Sequence, residues 1–198
     1  RLDEAVASYD KAIRLNPDYA KAHYNLGNTL QELGRSKDAE ASYRKAIALK
    51  PDYPKAHSNL GNTLRDSGRL EDAEASYRKA VALKPDFVKA HSNLGNTLQE
   101  LGRSKDAEAS FRKAIALKSD FAEAHSNLGI TLQELGRSKD AEASYRKAIA
   151  LKPDYAEAHY NLGNTLKELG KLEEAEASYT QAIALKPDYA DAHYNLGN

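Results

Sequence analysis

Apolar residues recur at three- and four-residue steps along the chain, and the polar residues between them recur in register. In residues 20–53, Ala22, Leu26, Leu30 and Leu33 form one stripe, and Ala39, Tyr43, Ala46, Ile47 and Leu49 form a second. Such steps place side chains on one face of an α-helix. Gly34 separates the two stripes and Pro51-Asp52 follows them. Glycine suits the left-handed residue that ends a helix, and proline blocks continuation of the second helix. Ser36 is expected to cap the second helix and Asp52 the first helix of the next unit. Asp154-x-x-Glu157 has the capping-box form. The unit therefore reads as two antiparallel helices, with Gly27 and Ala39 small where their backbones cross.

This pattern has a period of 34 residues. The unit at 20–53 recurs at 54–87, 88–121, 122–155 and 156–189, preceded by a half repeat at 1–19 and followed by a partial repeat at 190–198. Repeats 88–121 and 122–155 are identical at 28 of 34 positions. Twelve helices are predicted: one, then five pairs, then one short terminal helix. A fixed period of this length means stacked units that each bury their apolar face against their neighbours. Such an array generates surface rather than one central pocket.

The spacing His23-x-x-Leu26-Gly27-x-x-Leu30, then Ala39-x-x-x-Tyr43, then Pro51, resembles the tetratricopeptide repeat, over essentially the whole chain. The resemblance implies an all-α, right-handed superhelical solenoid of antiparallel helix pairs, a single domain over 1–198. It implies that the first helix of each pair lines a concave groove in which such domains hold peptides or partner proteins. His stands where tryptophan is usual, and Leu30 and its equivalents where tyrosine is usual. Ser119 replaces the usual proline once, which is expected to loosen one junction.

Composition narrows the chemistry. Lys plus Arg and Asp plus Glu are 29 each, so the formal net charge is zero. Nucleic acid or an anionic membrane needs a basic face, so neither is expected as a partner. With no cysteine there is no thiolate metal site or cysteine nucleophile. No apolar run approaches 18 residues and none of these residues reads as a signal peptide; any targeting segment is expected to lie outside them. The chain lacks an initiator Met and its ends fall within repeats, so it is expected to be part of a longer protein. The compartment is unknown, cytoplasmic by default. The six histidines share one row: His23, His57, His91, His125, His159 and His193. Stacked helices lie roughly 8–10 Å apart, too far for neighbours in that row to share an ion at about 2 Å. They read as packing residues that prefer the neutral ring. No cofactor, metal site or catalytic constellation is expected, so the chain is not read as an enzyme.

The asparagines are the strongest candidates for function. Asn25, Asn59, Asn93, Asn127, Asn161 and Asn195 form one row, and Asn28, Asn62, Asn96, Asn164 and Asn198 a second three residues on, interrupted by Ile130. Three-residue spacing puts both rows on one helix face. Asparagine is a mediocre helix former, so six in register call for a reason. One reading is a ladder that pairs with the N–H and C=O of an extended peptide, meeting it about every third residue. The other is that the inner row bonds neighbouring helices and stabilises the stack. Lys21, Lys55 and Lys89, then Glu123, Glu157 and Asp191, occupy the first helical turns at the mouth of the same groove. Residues 1–99 carry 16 basic and 13 acidic residues, and residues 100–198 the reverse, 13 and 16, so a ligand with an acidic and a basic end would bind in one direction. Tyr24, Tyr160 and Tyr194 alternate with Ser58, Ser92 and Ser126 in a further row, where the serines should leave more room.

The ladder is similar to that in the repeat domain of O-linked N-acetylglucosamine transferases, whose repeats also read close to AHSNLGN. That resemblance implies, as an alternative, a substrate-recruiting arm of a larger enzyme such as a glycosyltransferase. A third reading is weak head-to-tail self-association through open terminal repeats. Val6, Tyr9, Ala12 and Ile13 at one end and Leu196 and Gly197 at the other would carry it.

Overall fold

The computed structural model describes residues 1–197. Twelve α-helices and no strand occur among them, in the predicted order. Two compact units, 1–101 and 102–198, divide the chain. The first holds α1 (Leu2–Leu15), α2 (Ala20–Glu32), α3 (Ser36–Leu49), α4 (Pro54–Asp66), α5 (Leu70–Leu83) and α6 (Val88–Glu100). The second holds α7 (Ser104–Leu117), α8 (Ala122–Glu134), α9 (Ser138–Leu151), α10 (Ala156–Glu168), α11 (Leu172–Leu185) and α12 (Ala190–Leu196). In each unit every helix packs on the next, and the first helices of successive pairs also touch: α2 with α4, α4 with α6, and α8 with α10.

The bend between paired helices is set by glycine. Gly34, Gly68, Gly102, Gly136 and Gly170 all have φ between 71° and 77°, where a Cβ would be strained. After α2, Arg35 N–H reaches Leu30 O at 2.8 Å and Gly34 N–H reaches Gln31 O at 3.0 Å. These two bonds are the Schellman closure. The expected side-chain caps do not form. Ser36 is already the first residue of α3, Tyr53 rather than Asp52 is the N-cap of α4, and Tyr155 rather than Asp154 that of α10, all without a side-chain cap bond. The Schellman turn leads directly into α3, so no residue remains free to cap ahead of Ser36.

The connection between repeats is a tight turn. Phe87 N–H bonds Lys84 O at 3.1 Å and Tyr189 N–H bonds Lys186 O at 3.0 Å, so proline occupies the second turn position, where its fixed φ fits. Each histidine ties down this turn. His57 Nε2–H donates to Pro51 O at 3.0 Å, and His23, His91, His159 and His193 make the same bond. Where Ser119 replaces proline, His125 still bonds its carbonyl at 3.0 Å.

Within each unit, every complete pair closes around one aromatic ring. Tyr43, Tyr77, Phe111, Tyr145 and Tyr179 are buried, as are Leu64, Leu98, Leu132 and Leu166. The role of the glycines at the crossing differs from the expectation. A Cβ at Gly27 would stand 2.6 Å from Tyr43 Cε1, and one at Gly61 2.7 Å from Tyr77 Cε1. Glycine here makes room for a ring, not for a second backbone.

Candidate functional site

The first helices present the asparagines as half-buried side chains. Within each unit the two rows bond to each other across repeats. Asn59 Nδ2 donates to Asn28 Oδ1 at 2.8 Å and to the Tyr24 hydroxyl at 3.3 Å. Asn93 Nδ2 donates to Asn62 Oδ1 at 2.8 Å, and Asn195 Nδ2 to Asn164 Oδ1 at 3.0 Å and to the Tyr160 hydroxyl at 3.2 Å. Each of these three second-row oxygens accepts once more from the core tyrosine of its own pair: Tyr43 to Asn28 at 2.9 Å, Tyr77 to Asn62 at 2.6 Å and Tyr179 to Asn164 at 2.8 Å. Burial pushes the Tyr43 hydroxyl up to about 12, so it stays a donor.

The ladder is thus structural in half of its hydrogen-bonding capacity. Asn28 and Asn62 spend their oxygens and keep their Nδ2 donors; Asn59 and Asn93 spend their donors and keep their oxygens. An amide carries both functions, so a free donor and a free acceptor remain at both of these steps. Asn96 and Asn127 also have partners. Asn25 is half-buried on α2 and lines a 220 Å³ cavity together with Lys21. Asn198 lies outside the described residues.

Ile130 breaks the pattern and rewires its surroundings. Without an amide beneath it, the Tyr145 hydroxyl donates to Gln133 Oε1 at 2.6 Å. The side chain of Asn161, whose counterparts bond the second-row amide, has no hydrogen-bond partner among the described residues.

The remaining candidates fall into place unevenly. Lys21, Lys55, Lys89, Glu123, Glu157 and Asp191 are exposed in first helical turns. Lys152 Nζ approaches Glu123 Oε1 at 3.9 Å; the three lysines form no ion pair among the described residues. Tyr24 is half-buried against Tyr53, with centroids 4.9 Å apart, and Tyr160 lies likewise against Tyr189. Tyr194 is exposed. The serines do not widen the face as expected. Ser58, Ser92 and Ser126 are buried, because a side chain that short cannot reach past its neighbours. Nor do the histidines form a uniformly buried row: His57 is buried, His193 is exposed and the others are intermediate. No group of side chains that could hold a metal occurs among the described residues, and no helix there is long and apolar enough to cross a membrane.

Two features escaped the sequence reading. One is an ionic seam along the second helices. Glu40 accepts from Arg44 Nε at 2.9 Å and from Arg69 Nη1 of the next repeat at 2.9 Å. Glu108 accepts from Arg112 and Arg137, and Glu142 from Arg146 and Lys171. The signal was a glutamate row with an arginine four residues on and a cation immediately before the next second helix, legible only once the stack is known. The other is a series of cavities between successive second helices, of 390, 380 and 440 Å³, floored by His57 and Leu60, His125 and Leu128, and His159 and Leu162. They do not touch the asparagine rows.

Both histidine and glutamate should make stability fall with acid. Burial, aided by Lys79, holds His57 below the ordinary 6.5, outweighing the Pro51 carbonyl. The unfolded chain then takes up that proton first, so stability is lost as pH falls below about 6.5 and levels off beneath the folded value. Burial alone would raise Glu40 and Glu108, but hydrogen bonds from their arginines pull them below 4.5; for Glu142 the Lys171 bond leads. Their contribution is present above about 4.5 and is lost as pH falls through the depressed values. Melting followed from pH 7.5 to 3 should fall in these two windows. The upper one should vanish in His57→Gln; a wild-type midpoint flat from 7.5 to 5.5 contradicts the histidine assignment.

An all-α stack of helix pairs with a polar, half-satisfied face on its first helices defines a helical-repeat scaffold. The chain belongs to the tetratricopeptide-repeat family. The TPR repeat family matches residues 1–34, 61–102, 134–170 and 163–198, and tetratricopeptide repeat families match 20–53, 88–121 and 42–75. Solved structures agree. YrrB, a TPR protein with an unusual peptide-binding site, superposes with a TM-score of 0.83 at 25% identity, covering 96% of this chain and 98% of that one. MamA gives 0.78 at 26% identity, covering 84% and 97%. PilF of Pseudomonas aeruginosa gives 0.80 at 20% identity over 95% and 82%, a likeness of fold alone. No curated protein matches the chain.

Proposed function

We propose that this chain is a non-catalytic binding scaffold that holds extended segments of partner proteins on the first helices of its pairs, through the amide groups left over from the stack. The observation that carries this reading is the divided asparagine ladder. The steps Asn28–Asn59, Asn62–Asn93 and Asn164–Asn195 each keep a donor, as at Asn28 Nδ2, beside an acceptor, as at Asn59 Oδ1, while their other halves are locked to each other. A locked amide is pre-organised, so less ordering entropy is lost on binding. A peptide main chain offers the complementary C=O and N–H, which makes recognition tolerant of sequence. Charge then biases the choice: Lys21, Lys55 and Lys89 favour acidic residues over the first unit, and Glu123 and Glu157 favour basic residues over the second. The similarity to YrrB, whose own peptide-binding site is on record, supports the class of ligand.

The double variant Asn28→Asp, Asn62→Asp tests this. It keeps the oxygen that the stack uses and deletes the donor turned to solvent. Binding of a fluorescein-labelled neutral peptide, four repeats of Ala-Pro-Gln, is to be followed by anisotropy. Affinity should drop about 2- to 12-fold per lost hydrogen bond with an unchanged melting temperature. Unchanged affinity would make the ladder purely structural.

A further inference from the structure

The break at Ile130 is the place where this chain departs from its own rule, and it lies within the second unit. Elsewhere the second-row amide holds its partner: Asn28 with Asn59, Asn62 with Asn93 and Asn164 with Asn195 meet at 2.8–3.0 Å. The residue facing Asn161 is Ile130, which offers nothing to bond. Ile130 on α8 and Asn161 on α10 are both half-buried, and these two helices touch. The substitution costs the stack an inter-repeat hydrogen bond, and Gln133 is diverted to satisfy Tyr145. In return, both the donor and the acceptor of Asn161 stand free beside an aliphatic side chain.

We infer that Ile130 and Asn161 form a specificity subsite that selects an aliphatic side chain in an extended peptide; the inference rests on the peptide-binding reading above. Asn161 has its full amide to pair with the N–H and C=O of one peptide group, where the steps Asn28–Asn59, Asn62–Asn93 and Asn164–Asn195 offer two halves from different residues. The aliphatic side chain of that same ligand residue covers Ile130 and removes both from water. Glu123, two helical turns N-terminal of Ile130, and Glu157, one turn N-terminal of Asn161, lie on the same stripes and are exposed acids. Basic residues flanking the aliphatic one complement them. The ligand class is therefore a short extended segment with an aliphatic residue between lysines or arginines. The arrangement exchanges stability for selectivity, and that exchange makes it testable.

The experiment is a titration of the ¹⁵N-labelled full chain with the blocked heptapeptide Lys-Ser-Ala-Leu-Ala-Ser-Lys and with its counterpart carrying Ser for Leu, read at the side-chain amide of Asn161. The leucine peptide should shift that amide and bind about five- to tenfold more tightly than the serine peptide, from burial of the extra aliphatic carbons. Ile130→Asn should raise the melting temperature by roughly 2–4 °C as the ladder bond forms, and should abolish the preference for leucine. Asn161→Ala should leave melting unchanged and weaken the leucine peptide about 2- to 12-fold. Equal binding of the two peptides, or an Ile130→Asn variant that keeps the preference, overturns the subsite. If those results come with shifts at the Asn28 and Asn62 amides, the ladder still binds peptide and only the subsite is lost. If no asparagine amide responds to either peptide, both readings fall.

Discussion

Tyr77→Ala should destabilise the chain by about 3–5 kcal/mol, the range for removing a large buried aromatic side chain. Tyr77 is fully buried, donates to Asn62 Oδ1 at 2.6 Å and lies where a Cβ on Gly61 would come within 2.7 Å of its ring. The same geometry makes Gly61→Ala expensive by about 1–3 kcal/mol, because a buried ring has nowhere to move. The two substitutions should not add. Once the ring is gone, alanine at 61 fills part of the space and regains the helix propensity that glycine lacks, about 0.8–1.0 kcal/mol. Urea unfolding of the two single variants and the double variant forms the cycle. Additive effects would mean that the ring and the glycine are independent and that the close approach has no energetic meaning.

Asn62→Ala should cost about 2–4 kcal/mol, from the lost ladder bond and the stranded Tyr77 hydroxyl. The second term decides the size. At Ile130 the core tyrosine escapes by donating to Gln133, three residues on. The residue three beyond Asn62 is Arg65, which has donors only and cannot accept that proton. The residue three beyond Asn28 is Gln31, which can. Asn28→Ala should therefore cost clearly less than Asn62→Ala, although the two asparagines hold equivalent bonds. Asn62→Asp should be near neutral at pH 7, since a carboxylate oxygen accepts from both Tyr77 and Asn93. Equal losses for Asn28→Ala and Asn62→Ala would refute the rescue by glutamine.

The asparagine rows show how far a sequence carries such an argument. Their register and shared face follow from a three-residue spacing on a helix, and both were legible. Whether they serve the ligand or the stack was not. That depends on Asn59 Nδ2 meeting Asn28 Oδ1 at 2.8 Å, a contact between residues 31 apart that only packed helices create. The folded stack takes one half of each bonded amide, and the proposed ligand would take the other. The histidines repeat the lesson. Spacing excluded a shared metal ion, but the bond from each ring to the carbonyl six residues earlier needed the turn to be folded.

By itself the sequence determined the elements and their order. A 34-residue period, two apolar stripes at helical spacing, a glycine between them and a Pro-Asp after them leave little freedom, because each is a local steric or burial requirement. The left-handed φ of Gly34 and its equivalents was readable for that reason. The tertiary structure decided what depends on approach between distant residues. It put a tyrosine ring, not a backbone, against Gly27. It started α3 at Ser36 without a side-chain cap, buried Ser58 and joined Glu40 to Arg69 of the next repeat. Periodicity reports which face of a helix is turned inward; distance and direction between two faces are set only when side chains of particular shape compete for the same space.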